Sequence, residues 1–207
     1  MIKDEYNYSL IPLFSSPVMK VKEKFNMSDD IIDYIKNIEM IDNKDNLISN
    51  DKYILTNSNK LNDLKNYISK WLDFYTKEIM KIKDVSFYIT QSWINRTRKL
   101  EKHHTHYHSN SIVSGVFHFG DNFSNIEFER SHRQNFNLLF NYEEYNLYNS
   151  ESFYMATEKN TLLLFPSSLH HGVAINEREE DRYSLSFNSY VKGQVGGDLG
   201  LSSLNLK

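Results

Sequence analysis

No cysteine occurs among the 207 residues. That excludes a disulfide frame, an iron–sulfur cluster, a thiolate nucleophile and a Cys-based zinc site, so any metal must be held by His, Asp or Glu. Excess charge is also missing: 24 Lys and Arg against 27 Asp and Glu give a formal net charge of −3, with no basic field to collect nucleic acid. No apolar run approaches the roughly 20 residues needed to span a bilayer. The opening MIKDEYNYSL lacks the charged start, apolar run and small-residue cleavage site of a secretory signal. The chain shows no internal repeat and no linker-like stretch. The expectations are no nucleic-acid partner, no membrane and a cytoplasmic location.

What is present suits one ordinary globular core. The chain is 40% hydrophobic and 25% charged, with 14 Tyr and 13 Phe. Its Asn, Lys, Ile and Tyr bias suggests AT-rich coding and bears on source rather than chemistry. A single domain over 1–207 is expected, with a strand and helical cover at 1–83 and a β core at 84–207. Pro12 and Pro17 punctuate a loop that leads into a strand within 10–22. Ser28 is a plausible N-cap, with Asp29 and Asp30 in the first turn and Ile31, Ile35 and Ile38 on one face. A longer helix from Lys60 to Met80 follows from Leu61, Leu64, Ile68, Trp71, Leu72, Tyr75 and Ile79 recurring at helical spacing.

From Val85 the period becomes two, and β-rich runs follow at 91–97, 111–119, 125–129, 152–156, 161–165 and 182–191. Helices first and strands afterwards argue for a mainly β fold with an α flank. The expected form is a double-stranded β-helix, or jelly roll, with the N-terminal helices packed on one sheet. The segment 131–150 has no clear period and reads as a long loop or insert, of the kind that often serves as a lid.

The densest chemical signal is HHTHYHSN at 103–110. On an extended strand His104, His106 and His108 point one way, and His103, Thr105 and Tyr107 the other, so imidazoles at i and i+2 can share one ion. A solvated histidine-rich loop is the plainer alternative. A metal clip also needs a distant ligand. TLLLFPSSLHHGV at 161–173 is an apolar strand stopped at Pro166 that delivers His170 or His171 to a sheet rim. Arg182 then opens a strand whose Arg182, Ser184 and Ser186 share a face. A buried Arg requires a partner, best a bidentate carboxylate.

These motifs resemble the 2-oxoglutarate and Fe(II)-dependent oxygenase superfamily, in particular its small members found in phages and marine bacteria. The resemblance rests on LFSSPV (13–18), SWIN (92–95), HYHSNSIVSGVFHF (106–119), LLLFPSSLHHGV (162–173) and RYSLSFN (182–188), covering most of 10–200. It implies a jelly roll that binds Fe(II), with 2-oxoglutarate as cosubstrate. Dioxygen is consumed, succinate and carbon dioxide are released, and a substrate is usually hydroxylated. Carried over residue by residue, His106 takes the first ligand position, His171 the distal one, and Arg182 the far carboxylate of 2-oxoglutarate, with Ser184 beside it. Asn95, Trp93 and Tyr107 are candidates to line the site, although a Trp such as Trp93 is more often simple core.

The departure is His108, which stands where the superfamily carries Asp or Glu. A three-histidine site, a carboxylate such as Glu127 or Asp121 swinging in, or a register using His104 with His106 all remain open. His108 argues against halogenation, which needs a small residue there. The substrate, a small molecule or a protein side chain, is not legible, and neither is the oligomeric state. If the source is a phage, the host cytoplasm is the expected location. The rival readings are a cupin-like three-histidine enzyme without 2-oxoglutarate and a non-enzymatic jelly-roll binding module.

Overall fold

The computed structural model describes residues 9, 11–130 and 141–207. Twelve strands and three helices follow the expected order. They are β1 (Met19–Lys20), α1 (Asp29–Lys36), β2 (Met40–Asn43), β3 (Asn46–Ser49), α2 (Ile54–Asn57), α3 (Asn62–Phe74), β4 (Val85–Thr97), β5 (His103–His106), β6 (Val113–Phe119), β7 (Ile126–Glu129), β8 (Ser152–Met155), β9 (Thr161–Pro166), β10 (His170–Val173), β11 (Arg182–Val195) and β12 (Leu204–Leu206).

Two antiparallel sheets face each other. The larger runs β1-β9-β6-β11-β4-β3-β2, with β12 added on β11, and the smaller runs β5-β10-β7-β8. The expected jelly roll with an α flank is therefore present. Its central strands alternate, apart from one register shift between β4 and β11 at Phe187/Ser189, and the alternation separates structure from site. Phe117, Leu162, Leu164, Leu185, Phe187 and Ile94 point outward into a core shared with Ile35, Leu64, Ile68, Leu72 and Tyr75 of the helices. The opposite face of the same strands carries Val116, Leu163 and Phe165, which meet Ile126 and Phe128 of the small sheet. It also carries Asn95, His118, Ser184 and Ser186, which line a cavity between the sheets.

Gly115 fits this crowding: a Cβ there would lie 2.4 Å from Phe187 Cζ and 2.7 Å from Leu163 O. Beneath the helices, the Tyr75 hydroxyl donates to Pro17 O at 2.8 Å and the Tyr67 hydroxyl to Glu23 O at 2.5 Å, tying the cover to the N-terminal segment. Burial pushes both phenols up to about 12.

Several local expectations shift. The N-terminal strand is only two residues long. Ser28 does occupy the N-cap of α1, but its side chain makes no cap hydrogen bond; its carbonyl accepts from the amides of Ile31 and Ile32. The long helix ends as α at Phe74 and continues through a π turn, Tyr75–Ile79. The runs around 85–89 and 91–97 are one 13-residue strand. The β2–β3 hairpin and α2 have no counterpart in the sequence reading, because MIDNKDNLIS is polar and its strands lie at the sheet edge. Of the expected insert at 131–150, residues 131–140 lie outside the described residues, and 141–150 form neither helix nor strand.

Candidate metal centre

Strands β5 and β10 lie side by side at one end of the small sheet, with His171 opposite His106. The register then slips: Val173 pairs with His103, so three residues of β5 span two of β10. This bulge breaks simple alternation. His103 is thereby turned to the same side as His106 and stacks on it, ring centroids 4.7 Å apart and planes 10° from parallel. Strict alternation placed His103 on the far face, so its presence here was missed; nothing in HHTH marks a bulge.

His108 arrives from beyond the strand. Its backbone N–H donates to Ser167 O at 2.9 Å, and its ring lies 4.9 Å from that of His106 and 5.2 Å from that of His171. The possible ligand atoms of His106, His108 and His171 all fall within 4.8 Å of one another. A local pair, His106 and His108, thus converges with the distant His171.

Two of the three are already oriented. Nδ1 of His106 is 2.8 Å from His104 O and Nδ1 of His171 is 2.9 Å from Leu169 O. A carbonyl can only accept, so Nδ1 carries the proton and Nε2 is left with a free lone pair. Protonation is disfavoured in the cluster. Burial, followed by the neighbouring imidazoles, holds His108 down at about 3; burial and His106 outweigh the Leu169 carbonyl in holding His171 at about 4. His106 and His103 are lowered by burial in the same direction. Neutral imidazole is the form that binds a metal ion.

The other candidates separate clearly. His104 faces away toward Asp45, Nδ1 to Oδ2 3.6 Å. Asp121 is held by Lys159 at 2.7 Å on the surface, and Glu127 engages Tyr154 on the outer strand pair, so neither carboxylate joins the group. His170 points out against Tyr107, with centroids 4.9 Å apart, which removes Tyr107 from the lining. Trp93 is not plain core: it walls a second, outer cavity and lies 5.7 Å from the His108 ring, its indole N–H donating to Asn95 Oδ1 at 3.2 Å.

On the inner side, Asn95 donates to Ser186 Oγ at 2.8 Å and Ser184 Oγ at 3.3 Å. Arg182 is only 5% exposed and donates to Ala174 O at 3.0 Å, with no carboxylate partner among the described residues. It stands just beyond the cavity lining instead of in it. Burial brings its guanidinium down to about 10. Between Arg182 and the cluster lies His118, paired across strands with Ser184 and Thr161, 4% exposed, with neither ring nitrogen hydrogen-bonded. Burial first, then Arg182, hold it at about 3. In sequence His118 is one residue of an apolar strand motif, and its two orphaned buried nitrogens become visible only with the fold.

Residues 91–188 match the family model described as "Putative 2OG-Fe(II) oxygenase". No curated protein matches the chain in sequence. Among solved structures, it is similar to a 2OG-Fe(II) oxygenase family oxidoreductase from Burkholderia pseudomallei (13% identity, 77% of this chain and 75% of that one, TM-score 0.55). It is likewise similar to HygX from Streptomyces hygroscopicus, solved with nickel, 2-oxoglutarate and hygromycin B (12%, 84% and 82%, TM-score 0.54). A third is a prolyl-4-hydroxylase from Pseudomonas putida (10%, 84% and 93%, TM-score 0.56). At these identities the likeness is one of fold. The matched segment, similar in sequence to that family, contains every histidine of the cluster together with Asn95, His118, Arg182 and Ser184.

Proposed function

We propose that the chain is an Fe(II)- and 2-oxoglutarate-dependent dioxygenase that hydroxylates its substrate, with His106, His108 and His171 as the iron ligands. The observation that carries the reading is the pair of Nδ1 contacts to backbone carbonyls, which leaves the Nε2 lone pairs of His106 and His171 free beside His108. Ligand atoms about 2.1 Å from one ion sit about 3 to 3.5 Å apart. The present spread of up to 4.8 Å closes to that with side-chain rotations of about an ångström. The donor set fits a divalent ion that accepts imidazole.

The inner side fits a dicarboxylate. Among the described residues Arg182 has no anionic partner and His118 has two unsatisfied nitrogens, a combination that costs free energy unless a ligand answers it. Arg182 would grip the far carboxylate, with Ser184 and the neutral His118 supplying hydrogen bonds. Asn95 holds Ser184 and Ser186 in place. Iron and 2-oxoglutarate, held by these residues, would supply the oxidising chemistry, with succinate and carbon dioxide as the cosubstrate's products. The protein orients the cosubstrate, keeps the imidazoles neutral and excludes water with Phe165 and Val116. Three neutral histidines leave the ion its full +2, which the −2 of 2-oxoglutarate balances, so iron retention should depend strongly on the cosubstrate.

Anaerobic addition of Fe(II) and 2-oxoglutarate tests this. The expected result is a weak visible charge-transfer band, followed by succinate formation on admitting air. Tight metal binding with no band at any 2-oxoglutarate concentration would instead favour a three-histidine enzyme that does not use the cosubstrate.

A further inference from the structure

The outer cavity has a lining whose charge is opposite in sign to that of the chain. It measures about 300 Å³ and has Lys52, Asn43, Gln91, Trp93 and Asn188 for walls, with the histidine cluster as its floor. The chain carries −3, yet no Asp or Glu lines this space. Of the carboxylates flanking the lining in sequence or space, Asp51 accepts from the Tyr53 amide at 2.7 Å and from Asn57 at 3.1 Å, and Asp45 faces the lining residue His104.

The donors, in contrast, have capacity to spare. The Lys52 ammonium donates to Ser49 O, which leaves further N–H groups for the cavity. Burial pulls its pKa down and Asp51 pulls it back up. Asn188 accepts from Ser114 at 2.8 Å through its carbonyl oxygen, leaving its NH₂ group free, and the Gln91 side chain makes no hydrogen bond among the described residues.

We propose that the outer cavity takes the substrate, and that this substrate is a small organic monocarboxylate. Its carboxylate is held by Lys52 with a second hydrogen bond from Asn188 or Gln91, and its carbon skeleton runs along Trp93 toward the histidine cluster. One ammonium balances one carboxylate. A phosphate dianion would call for a second cation or an Arg fork, and the lining has neither. A volume of about 300 Å³ is at the lower end for small-molecule sites, which suits a metabolite better than a peptide loop. The identification as substrate rests on the oxygenase reading; the carboxylate site itself does not.

The test uses the whole protein with Mn(II) and saturating 2-oxoglutarate, so that the inner site is filled. Saturation-transfer NMR is recorded against the free L-amino acids and the C4 to C8 monocarboxylic acids, each beside its own carboxamide. Binding should be confined to acids. It should weaken at least tenfold in Lys52→Gln and recover in Lys52→Arg, while Mn(II) and 2-oxoglutarate affinities stay as in the wild type, which also reports that the variant is folded. Equal binding of acid and amide, no binding by any acid, or undiminished binding to Lys52→Gln would each overturn the proposal. Failure of the oxygenase reading would show separately, in the 2-oxoglutarate titration and in the absence of succinate when a bound acid is added aerobically with Fe(II).

Discussion

His118 offers a prediction in which stability and binding move in opposite directions. Its ring lies between the sheets, 4% exposed, with both nitrogens lacking a hydrogen bond. With its pKa held at about 3, it is neutral at pH 7 and presents one N–H and one lone pair to the cavity. An unsatisfied buried polar group costs about 1–3 kcal/mol. His118→Phe keeps an aromatic ring of similar size on β6 and removes that cost, so the ligand-free protein should become more stable. For a domain of this length each kcal/mol moves Tm by about 2–4 °C, which puts the expected rise at about 2–12 °C. The same substitution removes a hydrogen bond to bound 2-oxoglutarate, and an affinity loss of about 10-fold corresponds to 1.4 kcal/mol. Thermal melts of wild type and variant, with Mn(II) and with and without 2-oxoglutarate, read both effects together. A lower Tm in His118→Phe with an unchanged 2-oxoglutarate shift would make His118 an ordinary core residue and refute the reasoning.

Arg182→Ala should weaken 2-oxoglutarate binding by about 2–5 kcal/mol, as expected for loss of a charge-assisted contact, and leave metal affinity largely intact; isothermal titration separates the two. Gly172→Ala places a Cβ 3.0 Å from Thr105 Oγ1 and 3.1 Å from His103 O, pressing β10 off β5 exactly where His171 meets His106. It should cost about 1–3 kcal/mol in stability and weaken Mn(II) binding, whereas unaffected metal affinity would show that the strand spacing does not set the site. Tyr67 and Tyr75 have folded-state pKa values raised to about 12 from an ordinary 10.0, so their contribution is complete below pH 10 and is lost as pH rises toward 12. Tm should fall over that window, and less steeply in Tyr75→Phe.

The layered fold was legible because two periods are written plainly in the chain: Leu61, Leu64, Ile68 and Leu72 at helical spacing, and Val85, Phe87 and Ile89 and Arg182 to Phe187 in strand alternation. Both periods follow from burial against one large neighbour. The β2–β3 hairpin was not, since MIDNKDNLIS at the sheet edge is mostly polar and carries too few apolar residues to show a period. At the site, the approach of His106, His108 and His171 was anticipated from spacing and resemblance, and their part as ligands remains the proposal. His103 escaped because a bulge overrides alternation. His118 escaped because its character lies in what surrounds it: Arg182 on one side and no hydrogen-bond partner on the other.

The central claim is that His108 completes a three-histidine ligand set, and the Mn(II) affinity of His108→Ala and His108→Asp, measured with and without 2-oxoglutarate, tests it most directly. Loss of a direct ligand should weaken binding well beyond the 10- to 100-fold expected for an outer-shell partner. His108→Asp, which brings the charge of the site down by one unit, should hold the ion even without 2-oxoglutarate, where the wild type holds it weakly. Affinity in His108→Ala equal to that of the wild type would contradict the account and transfer the third position to His103, stacked 4.7 Å away on His106.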